Sequence, residues 1–152
     1  MQKITPYLWF DNQAKQAAEL YTSLFQDSKV VSVSGDPNGA FTMVEAEVAG
    51  QRVLLLNGGP GHPHSDSFSF YVECDGGQEE IDRLYGALTA DGGEPGPCGW
   101  LTDRYGVSWQ IIPNILTPLL TSSDPEVAQR VGQAMMTMSK IDIAGLEAAA
   151  RG

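Results

Sequence analysis

Phe41-Thr42-Met43-Val44-Glu45-Ala46-Glu47-Val48, then Ala49-Gly50-Gln51, then Arg52-Val53-Leu54-Leu55-Leu56-Asn57, is the stretch that decides the fold. Two apolar-rich runs of strand length on either side of a short, glycine-bearing break predict a β-hairpin. Upstream, Lys29 to Ser34 alternates weakly and stops at Gly35-Asp36-Pro37-Asn38-Gly39, whose glycines and proline mark a turn between strands. Before it, Ala17, Ala18, Leu20, Tyr21, Leu24 and Phe25 recur at helical spacing, which predicts a helix over 14–25 with Asn12 as its cap. Ile4 to Phe10 is rich in aromatic and apolar residues and ends at Asp11-Asn12, so it reads as a strand. The first half is expected to run β-α-β-β-β.

The pattern begins again after residues 58–66, a linker whose two prolines lack N–H donors and whose glycines favour turns. Ser67 to Cys74 alternates as a strand, and Ile81, Leu84, Tyr85 and Leu88 place a helix over 79–88. The turn cluster Gly92 to Pro97 leads to a strand over 98–101, and the Asp103-Arg104-Tyr105-Gly106 turn leads to another over 107–112. The two halves thus repeat their element order at about sixty residues' separation. Helices are expected over 115–120, from Asp124 or Pro125 through Met138, and over 141–150. Asp124 followed by Pro125 supplies a cap and a first-turn proline. The expected architecture is one α+β domain over 1–152: a first module (1–57), the linker, a second module (67–113) and C-terminal helices (114–152).

Composition excludes some partners. Nineteen acidic against nine basic residues give a formal charge of −10, which repels nucleic-acid phosphates and anionic membrane surfaces. No apolar run approaches the ~20 residues that span a bilayer, and the N-terminus lacks a basic region followed by an apolar core. A cytoplasmic location is expected. Cys74 and Cys98, outside any CxxC pattern, read as free thiols.

Cys98-Gly99-Trp100-Leu101-Thr102-Asp103-Arg104-Tyr105-Gly106-Val107-Ser108-Trp109-Gln110-Ile111-Ile112-Pro113 resembles the PhnB-like family, labelled 3-demethylubiquinone-9 3-methyltransferase domain proteins, of the glyoxalase/bleomycin-resistance/dioxygenase superfamily. Pro6 to Phe10, Leu56 to Pro60 and Lys140 to Ile143 extend the resemblance over almost the whole chain. It implies the vicinal-oxygen-chelate fold, in which paired βαβββ modules curl into a cup usually completed by a homodimer. In the superfamily's metalloenzymes, four ligands, mostly His and Glu, hold a divalent ion in that cup. The corresponding positions here are Thr5, Ser67, Leu55 or Asn57, and Gln110, none of them imidazole or carboxylate. Hydroxyls and amides are poor anchors for a transition metal, so neither a metal nor another cofactor is expected. Methyl transfer is not assigned from the label. The usual methyl-donor site needs a glycine-rich turn between a parallel strand and a helix, and none is expected here, since Asp11-Asn12-Gln13 lacks glycine.

Strand alternation groups Thr5, Tyr7 and Trp9 on one face, Ser67, Ser69 and Tyr71 on another, and Ser108, Gln110 and Ile112 on a third. With Asn57, Cys98 and Trp100 they form the expected lining for a small organic ligand of neutral or weakly polar character. The alternative for each is filling a closed core or a dimer interface. Cys98 has no adjacent histidine to activate it and reads as an inert thiol, against a nucleophile. His62 and His64 form an HxH pair that reads as exposed loop histidines, against a metal site at the rim. Asp103 is explained by its turn. Gly58 to Gly61 lacks the GK[ST] ending of a phosphate loop. The expected function is metal-independent small-molecule binding in a homodimer. The alternative is an enzyme acting on a small aromatic, quinone-like or carbonyl substrate, with a divalent metal recruited.

Overall fold

The structure, a computed structural model, describes residues 2–36 and 41–152, so Pro37 to Gly39 of the expected turn lie outside the described residues. The chain divides into two compact units, Met1–His64 and Ser65–Gly152.

The first unit contains β1 (Tyr7–Phe10), α1 (Ala14–Leu24), β2 (Lys29–Gly35), β3 (Thr42–Val48) and β4 (Gln51–Asn57). Its sheet runs β1-β4-β3-β2, with β1 parallel to β4 and the other pairs antiparallel. The expected hairpin is β3–β4, closed at Val48↔Gln51 by Ala49 (φ 51) and Gly50 (φ 79). Two successive left-handed residues make the turn whose twist matches the strands it joins. β1 is shorter than the expected 4–10, because Pro6 has no N–H and enters the ladder only by accepting from Leu54 N–H (3.0 Å). Leu8, Phe10, Val44, Ala46, Val53 and Leu55 alternate inward, and Ala14, Ala17, Ala18 and Tyr21 of α1 are buried with them. Asn12 does not cap α1. The N-cap position falls at Gln13 without a side-chain bond, and Asn57 Oδ1 at the end of β4 instead accepts from Ala14 N–H at 2.8 Å.

The second unit repeats the order: β5 (Ser69–Cys74), α2 (Gly77–Thr89), β6 (Glu94–Pro95), β7 (Trp100–Thr102) and β8 (Ser108–Pro113), in a sheet running β5-β8-β7-β6 with β5 parallel to β8. Ser67 lies in a turn before β5, its hydroxyl 2.6 Å from that of Ser65, and so takes no strand face. The expected Gly92–Pro97 turn contains the two-residue strand β6. The expected strand over 98–101 starts only at Trp100, because Cys98 (φ 58) and Gly99 (φ 87) form a left-handed hairpin turn closed by Trp100 N–H to Pro97 O at 3.0 Å. Ile81, Leu84, Tyr85 and Leu88 are buried, as their spacing predicts, in the unit that also buries Leu101, Trp109 and Ile111.

Three helices come after β8: α3 (Leu116–Leu120), α4 (Pro125–Met136) and α5 (Ile143–Arg151). Asp124 caps α4 by accepting from Glu126 N–H, with Pro125 in its first turn. The last two helices are shorter than expected because the segment between them is held in another way. Met138 O and Ser139 O accept from Cys98 and Gly99 N–H, and the Gln78 amide bonds Ile141 O (2.9 Å) and Ile143 N–H (2.8 Å). Leu116, Val131, Ile141 and Leu146 form an apolar cluster with Ile112 of β8. Among the described residues no helix is long and apolar enough to cross a membrane.

Candidate functional site

Each sheet has one face under its helix and one turned away, and register decides which side chains share the second. In the first unit Tyr7 pairs with Leu54 and Trp9 with Leu56, which pair in turn with Glu45 and Met43. Tyr7 is 53% exposed, and Trp9, Leu54 and Leu56 are half-buried. This face is apolar with one polar margin: Arg52 contacts Glu45 Oε1 at 3.0 Å and donates to Thr5 Oγ1 at 3.1 Å. Thr5 therefore precedes β1 and is engaged by an arginine. The loop after β4 folds back on Trp9, whose Nε1–H donates to Gly59 O at 2.9 Å. A Cβ on Gly58 would sit 2.3 Å from the indole, so only glycine lets the backbone pass.

Asn57 and Leu55 point the other way, under α1, where both are buried. The Asn57 oxygen binds the first turn of the helix, and this is the physical reason the amide is buried there. His62 packs against Trp9 at a tilt of 49° with ring centroids 4.4 Å apart, and His64 against Phe10 at a tilt of 54° and 5.2 Å. Trp9 and Phe10 alternate across the strand, so the two imidazoles lie against opposite faces and do not converge on one ion. His64 Nε2 is buried and has no hydrogen-bond partner among the described residues.

In the second unit Tyr71 pairs with Gln110, and Gln110 with Trp100; beside that row, Ser69 pairs with Ser108, and Ser108 with Thr102. The structure thus brings Ser69, Tyr71, Trp100 and Gln110 onto one face. Gln110 Nε2–H donates to Ser69 Oγ at 3.0 Å, which fixes the amide between two aromatic neighbours. Thr102 shares this face, as Leu54, Leu56 and Met43 share the other. Sequence reading missed all four, although the parity of the Ala49-Gly50 hairpin contained the signal for Met43. Ser67 and Cys98 flank this face from turns. Cys98 Sγ lies 3.8 Å from Met136 Sδ, and both cysteines are free. Burial first, then the Glu80 charge, pushes the Cys74 thiol up to about 12.

Asp103 is buried at the β7–β8 turn, where Oδ1 accepts from Tyr105 and Val107 N–H and Oδ2 from Trp109 Nε1–H. Its carboxylate is a structural acceptor. Tyr85 donates to Trp100 O at 2.8 Å, and burial raises its hydroxyl above the usual phenol value.

The superfamily's metal does not fit this donor set. Matching Phe10↔Asn57 with Cys74↔Pro113, the residues at the ends of the parallel pairs, makes Thr5 equivalent to Ser69 and Leu54 to Gln110. Ser67, Leu55 and Asn57 thus leave the expected ligand set, the first by register and the others by face. The hydroxyl and amide donors that remain already bond Arg52 or each other. Among the described residues no group of three or more His, Cys, Asp or Glu is placed to hold a metal ion. A glycine turn between a parallel strand and a helix does occur, contrary to the sequence reading: Gly76-Gly77 joins β5 to α2. Glu80 Oε1 folds back to Gly76 N–H at 3.3 Å, which sets a carboxylate at that helix start, and the sheet is not doubly wound.

The family model described as 3-demethylubiquinone-9 3-methyltransferase matches residues 2–112. A Bacillus cereus PhnB protein, described as a candidate 3-demethylubiquinone-9 3-methyltransferase, is 33% identical; the match covers 74% of this chain and 99% of that one at a TM-score of 0.64. Fosfomycin resistance protein FosX from Listeria monocytogenes is 17% identical, with 74% and 94% covered and a TM-score of 0.52. Leishmania major glyoxalase I is 11% identical, with 77% and 89% covered and a TM-score of 0.53. These last two show the fold alone: two four-stranded sheets of the glyoxalase/bleomycin-resistance type. No curated protein matches the sequence.

Proposed function

The chain belongs to the 3-demethylubiquinone-9 3-methyltransferase (PhnB-like) family, and from that footing we propose that it binds a small, neutral or weakly polar organic molecule without a metal ion or other cofactor. The observation that carries this reading is the row Tyr71–Gln110–Trp100, an amide braced by Ser69 between two aromatic rings on the sheet face away from α2. Aromatic surface supplies affinity, and an amide held in place supplies orientation through a donor or acceptor. Tyr7, Trp9, Leu54 and Leu56 offer a second, apolar surface of the same kind in the first unit. An anionic ligand is disfavoured, because this row contains no cationic side chain and Arg52 is already paired with Glu45.

The working form is a homodimer in the cytoplasm, where free thiols such as Cys74 and Cys98 persist. Binding of 2-naphthol, a neutral aromatic alcohol, tests the reading. Wild-type protein treated with EDTA is expected to bind it, and Gln110→Leu or Trp100→Ala to weaken binding about tenfold, or about 1.4 kcal/mol. Binding that appears only when a divalent ion is added overturns the metal-free reading. Sedimentation showing monomer alone removes the dimer.

A further inference from the structure

The stretch that the family model matches ends at residue 112, and the C-terminal segment beyond it grips the edge of the Trp100–Gln110 face. Cys98 and Gly99, the two left-handed residues of the β6–β7 turn, donate their N–H groups to Met138 O (2.8 Å) and Ser139 O (2.7 Å). The next residue is Trp100. A non-glycine residue at positive φ, such as Cys98, needs surrounding structure to hold it. Here two bonds from one short segment do so. That segment is itself tied down by the Gln78 side chain, whose amide bonds both Ile141 O and Ile143 N–H, and by Lys140 Nζ at 2.8 Å from Asp82 Oδ1. Its Ile141 is buried in the cluster with Ile112, two residues beyond Gln110 on the same side of β8.

We propose that residues 138–143 are a strap that fixes the Trp100 hairpin, and that Gln78, on the helix covering the opposite face, is a positioning residue for ligand binding. The proposal rests on the small-molecule reading of this face. Gln78 acts through the strap and touches no ligand. Loosening the strap frees the turn to leave its left-handed conformation, and Trp100 then samples positions that no longer flank Gln110.

The test labels the full chain with 5-fluorotryptophan and assigns the Trp100 fluorine signal with Trp100→Phe. In Gln78→Ala the Trp100 signal is expected to broaden or split, while those of Trp9 and Trp109 stay in place. The 2-naphthol dissociation constant is expected to rise about threefold to tenfold, within the span of effects seen for residues that act through a packed network. Lys140→Ala should move both readouts in the same direction by less, and it decides the matter if Gln78→Ala does not fold. An unchanged Trp100 signal in a folded variant overturns the strap, as does a shift shared by all three tryptophans. If wild-type protein binds no 2-naphthol, the small-molecule reading falls while the fluorine spectra still decide the strap.

Discussion

The two units share strand order, parallel pairing and helix placement, yet they satisfy the start of the helix in opposite ways. In the first unit the last strand ends in Asn57, which reaches under the sheet to bind the first turn of α1. The equivalent residue in the second unit is Pro113, which has no side-chain acceptor. There, α2 supplies its own carboxylates, Glu79 and Glu80 in the first turn, with Glu80 reaching back to Gly76. The polar burial moves accordingly, from a sheet amide in one unit to Asp103 at a turn in the other. A single topology thus tolerates different solutions because each needs only a donor met by an acceptor.

The sharpest break of this comparison is Asp103→Ala. It strips the acceptor from three N–H groups, two of them in buried bonds, and at about 1–3 kcal/mol for each buried donor left unmet the loss should reach at least about 2 kcal/mol in urea unfolding. A loss under about 1 kcal/mol would show that water replaces the carboxylate. Asn57→Ala, its counterpart, leaves one helix donor unmet and should cost about 1–3 kcal/mol. Asn57→Asp keeps an acceptor at the positive end of α1 and should recover part of that loss. If both variants are equally harmful, packing rather than the hydrogen bond sets the position.

The repeat itself was legible because strand and helix periods and turn residues are local signals. Val44 against Glu45 and Ile81-Leu84-Tyr85-Leu88 needed no tertiary information. The faces were only half legible. Tyr7, Tyr71 and Gln110 followed from alternation, but Val53-Leu54-Leu55-Leu56 does not alternate, and only its pairing with β3 reveals which leucines turn away from α1. Asn57 misled for the same reason. A polar residue closing an apolar strand looks like a binding residue until the helix it caps is placed beside it. Lys140 to Ile143 stands out as a motif, but nothing local points to its partner Gln78, sixty-three residues from Ile141 in the chain.

The buried thiol at the end of β5 allows a gentler test, by pH. Its folded-state value of about 12 lies above the ordinary 9.0, so between them the unfolded chain releases a proton that the folded chain keeps. Stability contributed by Cys74 is complete below pH 9 and declines above it, with a slope no steeper than about 1.4 kcal/mol per pH unit. Urea midpoints at rising pH, compared with Cys74→Ala, isolate this from tyrosine ionisation. Equal slopes in the two proteins would mean that the thiol is not desolvated. Phe10, the equivalent residue in the first unit, has no proton to lose and can show no such dependence.

The smallest expected effect separates two lysine–carboxylate pairs. Lys15 and Glu19 lie 3.8 Å apart along exposed α1, whereas Lys140 and Asp82 meet at 2.8 Å, with Gln78 also donating to the carboxylate. The Asp82 carboxyl is held below its ordinary 3.8, first by Gln78 and then by Lys140. A depressed value contributes stability above pH 3.8 that is lost as pH falls through the lowered one. Lys15→Ala should leave the urea midpoint unchanged, since exposed helix pairs contribute little. Lys140→Ala should lower it slightly at neutral pH, with the difference shrinking in about 1 M salt, where the screening length falls to ~3 Å, comparable with the separation of this exposed pair. A Lys140→Ala deficit that survives that salt would assign the lysine's role to its methylene stem packing along the strap rather than to its charge.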